Sequence, residues 1–253
     1  MNLRSISPRR LSLLDGGYDW PRCETMIKEA LIVSHGQPSD PEPAEAALAL
    51  LAAKVAELLP DWRVASATLA KPDALAAAVA GRARGVVYPM FMAGGWFPMT
   101  ELPRRMVEAG AVDWAYLSPF GLDARVQDLV VTLAQEAATA QGRTAAQAEV
   151  LLAAHGSFRS TAPSEVAQAV AQRLKRAGFA RAEAFFIDQE PRIATATGFG
   201  AGSVCLPFFA AEGGHVTDDL PQALAEAGFG GQLLPPLGLD ARVPSLIAAA
   251  LRG

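Results

Sequence analysis

Short apolar runs punctuate the chain at near-regular intervals. Those at 30–34, 63–69, 85–92 and 112–118 are bounded by Gly or Pro. They are too short and too continuous for surface helices, so they predict strands buried on both faces of a parallel sheet. Between them, at about 43–59, 72–80, 99–109 and 122–140, the pattern becomes helical. The second half repeats the alternation, with strands near 149–154, 182–188, 203–209 and 232–236 and helices near 162–177, 190–197, 217–227 and 240–251. Strand–helix alternation predicts parallel sheets covered by helices on both faces. The longest apolar stretch, AEAALALLAAKVAELL (44–59), is interrupted by Lys54 and Glu57 and predicts an amphipathic helix. No run reaches the length of a membrane span, so no membrane partner is expected.

The chain is also written twice. PFGLDARV (119–126) recurs as PLGLDARV (236–243), YPMFMAGGWFPMTELP (88–103) matches LPFFAAEGGHVTDDLP (206–221), and LIVSHG matches LLAAHG. Three matches in one order at nearly one offset mark an internal duplication. The expected architecture is α/β: two similar doubly wound domains, each a four-stranded parallel sheet flanked by helices, over 28–140 and 148–253. AATAQGRTAAQ (137–147) is read as the linker and residues 1–27 as a tail. That tail is basic but lacks the continuous apolar segment of a signal peptide, and Met26, directly before the first strand, is a candidate natural start. Two fused lobes make a monomer sufficient.

Composition narrows the function. The net charge is -4, which argues against nucleic acid as a partner. The two cysteines, Cys23 and Cys205, form no C-x-x-C pair, which fits a reducing cytoplasmic compartment without a cysteine metal site. No G-x-x-x-x-G-K-[ST] occurs, so no ATP site of that type is expected, and GFGAGS (198–203) precedes a strand instead of opening a helix, which fails the test for a dinucleotide loop.

The candidate chemistry lies in three histidines. His35 and His155 each follow the first strand of a half, and His215 follows the third strand of the second half after a Gly pair. Open parallel sheets bind ligands beyond the carboxyl ends of their strands, so His155 and His215 are expected to meet across one cleft. Two neutral imidazoles with the carboxylate of Glu190, in FIDQEPRI, would form an open site for a divalent first-row metal. Counting along the repeat pairs Lys71 with Glu190 and Trp96 with His215. The first half, with His35, Lys71 and Trp96, is therefore expected to have lost the site. Blander readings stand beside these. His35 suits a packing role, Glu190 before Pro191 suits a helix start, and Asp218 and Asp219 suit a helix cap. Arg159 and Arg192 either hold substrate carboxylates or are simply solvated. A histidine phosphatase would need an arginine directly before the HG pair, where Ser34 and Ala154 stand.

The segments LLAAHGS, QEPRI and LPFFAAEGGHVTDDLP together resemble the class II tetrapyrrole chelatases, the sirohydrochlorin cobalt or iron chelatase family in its long tandem form, over about residues 28 to 253. The resemblance implies insertion of cobalt or iron into sirohydrochlorin or a relative, without ATP or any nucleotide, for cobalamin or siroheme biosynthesis. It implies His155 and His215 as metal-handling and proton-accepting groups and Glu190 as their acidic partner. Trp96 and His35 would then line the opposite wall, and Arg159 and Arg192 would hold the rim of the tetrapyrrole. A non-catalytic tetrapyrrole or metal binder of the same fold is the alternative.

Overall fold

The computed structural model describes residues 27–253; the expectations for the N-terminal tail, Met26 and Cys23 lie outside the described residues. Strands β1 (Lys28–Ser34), β2 (Trp62–Thr68), β3 (Arg84–Pro89) and β4 (Asp113–Tyr116) form one sheet in the order β2-β1-β3-β4. Strands β5 (Glu149–Ala154), β6 (Arg181–Phe186), β7 (Ser203–Pro207) and β8 (Gln232–Leu233) form a second in the order β6-β5-β7-β8. Every pairing is parallel. The apolar runs are continuous because both faces of each central strand are covered. On β1, Ala30 and Ile32 belong to one core cluster and Leu31 and Val33 to another, the two-residue alternation of an extended strand.

The helices are α1 (Pro41–Glu57), α2 (Ala74–Val79), α3 (Leu102–Glu108), α4 (Ala124–Ala140), α5 (Ala162–Arg176), α6 (Leu220–Glu226) and α7 (Val243–Arg252). Two expected elements are shorter than the pattern implied. The stretch 190–197 holds only a 3-10 turn, Ile193–Thr195, and the last strand is two residues long. Part of the expected linker is the end of α4, which runs to Ala140. The outer face of the first sheet is covered by α2 and α3, and that of the second by α6. The inner faces share one continuous core with α1, α4, α5 and α7. The last helix of each half crosses to the other: α4 packs on β7 and α5, and α7 packs on α1 and β3. The two halves are therefore interleaved, with each sheet covered in part by the other half's chain.

The G-L-D-A-R-V repeat has a physical reason in this exchange. It forms the turn that launches each crossing helix. Gly121 N donates to Phe91 O at 3.0 Å, and Gly238 N to Phe209 O at 2.9 Å. A side chain at either glycine would collide with backbone, since a Cβ on Gly121 falls 2.1 Å from Met92 O and one on Gly238 falls 1.8 Å from Ala210 O. Asp123 and Asp240 then accept the backbone N–H of Arg125 and Arg242, each at 2.9 Å, and pair with those guanidinium groups.

Candidate functional site

In a sheet ordered 2-1-3-4, successive connections leave in opposite directions from the first and third strands, and a crevice opens at their carboxyl ends. His155 follows β5 and His215 follows β7, so both lie at the switch point of the second sheet. The glycine after each strand-end histidine is required locally. Gly36 and Gly156 both have φ +75°, and a Cβ on Gly156 would fall 2.6 Å from Gln189 Cγ. The histidine rings meet edge to face, with centroids 4.4 Å apart and planes at 88°. Both are about half-exposed.

Hydrogen bonds fix the tautomer of each ring. His155 Nδ1 lies 3.0 Å from Gly156 O, a carbonyl that can only accept, so Nδ1 carries the proton; Asp188 Oδ2 lies 3.4 Å from the same nitrogen. His215 Nδ1 lies 2.6 Å from Asp219 Oδ2. A ring that donates from Nδ1 keeps a lone pair on Nε2. Each imidazole is thus held with Nε2 ready for a metal or a proton, because an acceptor behind Nδ1 fixes the tautomer and orientation of a ligating histidine.

The structure places the other expected residues differently. Glu190 is turned to solvent and to Arg192, with its carboxylate 3.6 Å from Arg192 Nε and 3.2 Å from Arg192 N. Arg192 also donates to Ile187 O at 2.9 Å. Among the described residues no three His, Cys, Asp or Glu side chains are arranged to hold a metal. The acidic neighbours of the histidines are Asp188 and Asp219, which the sequence reading left out or assigned to a helix cap. Asp219 makes no side-chain cap bond to α6. Its signal was the i, i+4 spacing from His215, which one helical turn converts into contact.

Two pairings made by counting along the repeat are corrected by the backbone. Ala70 N donates to His35 O and Asp188 N to His155 O, so Ala70 matches Asp188 and Lys71 matches Gln189, not Glu190. Likewise a π-helical turn spans Phe97–Glu101 in one half and His215–Asp219 in the other, so Phe97 takes the place of His215 and Trp96 that of Gly214. The Gly pairs stand one register apart in the two turns, and alignment on them slid the count by a residue.

The first half therefore preserves the geometry but has Phe97 where the second histidine stands. His35 Nδ1 donates to Gly36 O at 2.8 Å, and its ring meets Phe97 at 4.1 Å and 88°. Glu101, the counterpart of Asp219, is buried and bound by Arg104 at 2.8 Å and Arg105 at 2.6 Å, while Lys71 pairs with Glu42 at 2.8 Å. Hydrogen bonds from Arg104 and Arg105 lower the Glu101 pKa to about 2. A carboxylate depressed in the folded state stabilises the fold above its unfolded value and loses that contribution as pH falls towards the folded one. Glu101→Gln is thus expected to lower the Tm at neutral pH, and the difference from the parent protein should vanish on approaching pH ~2. Acid titration of both proteins by circular dichroism checks this; a difference that persists at low pH would rule the ion pair out as its source. Asp219→Asn, which removes the charge behind His215, is expected to lower metal affinity or turnover by roughly 10–100-fold. Unchanged cobalt binding and turnover would show that Asp219 does not orient the ring.

A duplicated pair of parallel four-stranded sheets, with facing histidines at one switch point, defines the class of a chelatase-like α/β protein. The CbiX family model matches residues 149–252. The solved structure of CbiX, the terminal enzyme for biosynthesis of siroheme in denitrifying bacteria, is 46% identical, with 88% of this chain and 97% of that one covered and a TM-score of 0.82. SirB from Bacillus subtilis with Fe3+ shares the fold at 18% identity and TM-score 0.67, covering 90% and 95% of the two chains. SirB from Bacillus subtilis subspecies spizizenii in complex with cobalt does so at 16% and 0.61, covering 90% and 94%. No curated protein sequence matches the chain. The chain belongs to the CbiX/SirB family of class II sirohydrochlorin chelatases.

Proposed function

We propose that the protein inserts cobalt(II) or iron(II) into sirohydrochlorin, for siroheme or cobalamin biosynthesis, without ATP, at a single centre on its C-terminal half (148–253). The observation that carries this reading is the His155–His215 pair, 4.4 Å apart with both Nδ1 atoms committed to acceptors. Neutral imidazole suits a borderline divalent metal, which is here a substrate.

The proton count closes on the same two rings. Insertion exchanges one divalent cation for two pyrrole N–H protons. A metal held on the two Nε2 lone pairs leaves them as it passes to the macrocycle nitrogens. Each freed Nε2 then takes one of the two released protons, and Asp188 and Asp219 lie behind the rings that become cationic. Two imidazolium groups repel a divalent ion, so the protonated pair also opposes its return. Solvent restores both rings. The N-terminal half (28–140) serves as the opposite wall, where Trp96, Phe97 and His35 offer aromatic surface to a flat ring. Glu190 acts through Arg192, holding that guanidinium at the end of β6.

The test is direct. Purified protein mixed with sirohydrochlorin and cobalt(II) or iron(II), in the absence of nucleotide, should change the macrocycle absorbance far faster than the metal and macrocycle alone. Binding of either substrate without acceleration would favour the non-catalytic carrier.

A further inference from the structure

Arg159 stands apart from the arginines around it. Arg192 is tied to Glu190 and Ile187, and Arg173 and Arg181 to Asp128 and Glu183. Arg159 lies four residues after His155, and its guanidinium has no hydrogen-bond or ion-pair partner among the described residues. It lines an open pocket of about 550 Å³ with Ser157, Phe158, Ser160, Thr161 and Gln189. The loop that forms this pocket is held internally. Ser157 N donates to Gln189 Oε1 at 2.8 Å, Arg159 N to Ser157 Oγ at 3.1 Å and Ala162 N to Ser160 Oγ at 3.2 Å. The backbone is braced, and the charged end of Arg159 is left unspent.

The duplication supplies an internal comparison. The loop after His35 carries Gln37 and Asp40 and no arginine before α1 begins at Pro41. Lys71, just after the neighbouring end of β2, is already paired with Glu42. Of the two repeated loops, the one beside the histidine pair carries the cation Arg159 and the other carries the anion Asp40. Phe158, next to Arg159, is 74% exposed. A lone guanidinium beside an exposed ring suits a flat apolar molecule edged with carboxylates.

We propose that the pocket of residues 157–161 is a subsite for one rim carboxylate of the tetrapyrrole, with Arg159 as its cationic ligand and Phe158 against the macrocycle edge. The proposal rests on the chelatase reading and assigns the substrate group that this loop recognises. Pinning one arm fixes the rotation of the ring about its normal, so that its nitrogens present to Nε2 of His155 and His215 in one orientation.

The experiment is absorbance titration of the metal-free macrocycle, with cobalt binding and turnover measured alongside. Arg159→Gln is expected to weaken macrocycle binding and raise its KM by about 10–100-fold, the effect of losing a charge-assisted hydrogen bond. Cobalt affinity should stay unchanged. Arg159→Lys should recover only part of the loss, because an ammonium cannot make the bidentate contact. Arg176→Gln, the same charge change at the far end of α5, should have no effect on binding. Methyl-esterified macrocycle should bind the parent protein and Arg159→Gln equally weakly. If the parent protein metalates and Arg159→Gln binds the free-acid macrocycle as tightly as it does, the subsite is wrong and the chelatase reading survives. If the parent protein neither binds nor metalates the macrocycle, both fall.

Discussion

His155→Ala and His215→Ala should each slow metal insertion by roughly 10²–10⁴-fold, while His35→Ala leaves the rate within a few-fold of the parent protein. The asymmetry follows from the neighbours of each ring. His155 and His215 have ring centroids 4.4 Å apart and each keeps Nε2 free of its Nδ1 bond, and removing either leaves one ligand and one proton acceptor for a reaction that releases two protons. His35 has the same backbone setting and the same Nδ1 bond, but its ring meets Phe97, which neither binds a metal nor takes a proton. Cobalt-dependent turnover and Tm should be measured together on all three variants. A purely structural histidine would lower both in step. Loss of activity in His35→Ala equal to that in His155→Ala, at matched stability, would place the centre between the halves and overturn the one-sided reading.

The same comparison predicts why one substitution will not restore the lost centre. Phe97→His would supply an imidazole opposite His35. Its expected anchor, Glu101, is already bound by Arg104 and Arg105. In the second half the residues at those places are Gln222 and Ala223, which leave Asp219 free for His215. A centre in the first half would therefore need several changes together, because the ion pairs of Glu101 with Arg104 and Arg105 hold the carboxylate of its π-helical turn.

Much of this was legible in the sequence because it is periodic or repeated. Eight apolar runs gave eight strands, and the duplicated G-L-D-A-R-V segment announced two sheets. The switch-point rule brought together two histidines sixty residues apart in the chain. What was missed depends on register at single-residue resolution. Glu190 stands two residues beyond Asp188, yet only Asp188 reaches His155, because the Asp188 N to His155 O bond sets the end of β6 against the end of β5. The interleaving of α4 and α7 was illegible for a different reason. An amphipathic helix records that it has a buried face, and nothing in its period says which sheet lies beneath.

Gly238→Ala should be among the most damaging small substitutions in the protein. The added Cβ would lie 1.8 Å from Ala210 O and 2.3 Å from its carbonyl carbon, where the neighbour is backbone and cannot rotate away. Gly238 N is also bonded to Phe209 O, so the turn cannot retreat without giving up that bond. Overpacking of this kind costs on the order of 2–3 kcal/mol. For a chain of this length that corresponds to a fall in Tm of roughly 4–12 °C. Gly213→Ala is the matched control, since a Cβ there meets nothing within 4 Å, and a surface change of that type should stay within about 0.5 kcal/mol. Gly121→Ala separates stability from function. Its Cβ would collide with Met92 O at 2.1 Å in the same turn of the other half, so it should lower the Tm by a similar amount. The two differ in what the displaced loop carries: from Ala210 the chain runs five residues to His215, and from Met92 it runs five residues to Phe97. Below both melting transitions, Gly238→Ala should therefore reduce the turnover number, and Gly121→Ala should reduce it far less. Equal losses of turnover from the two glycines would mean that the halves contribute alike to the reaction, and the assignment of the chemistry to His155 and His215 would fail with them.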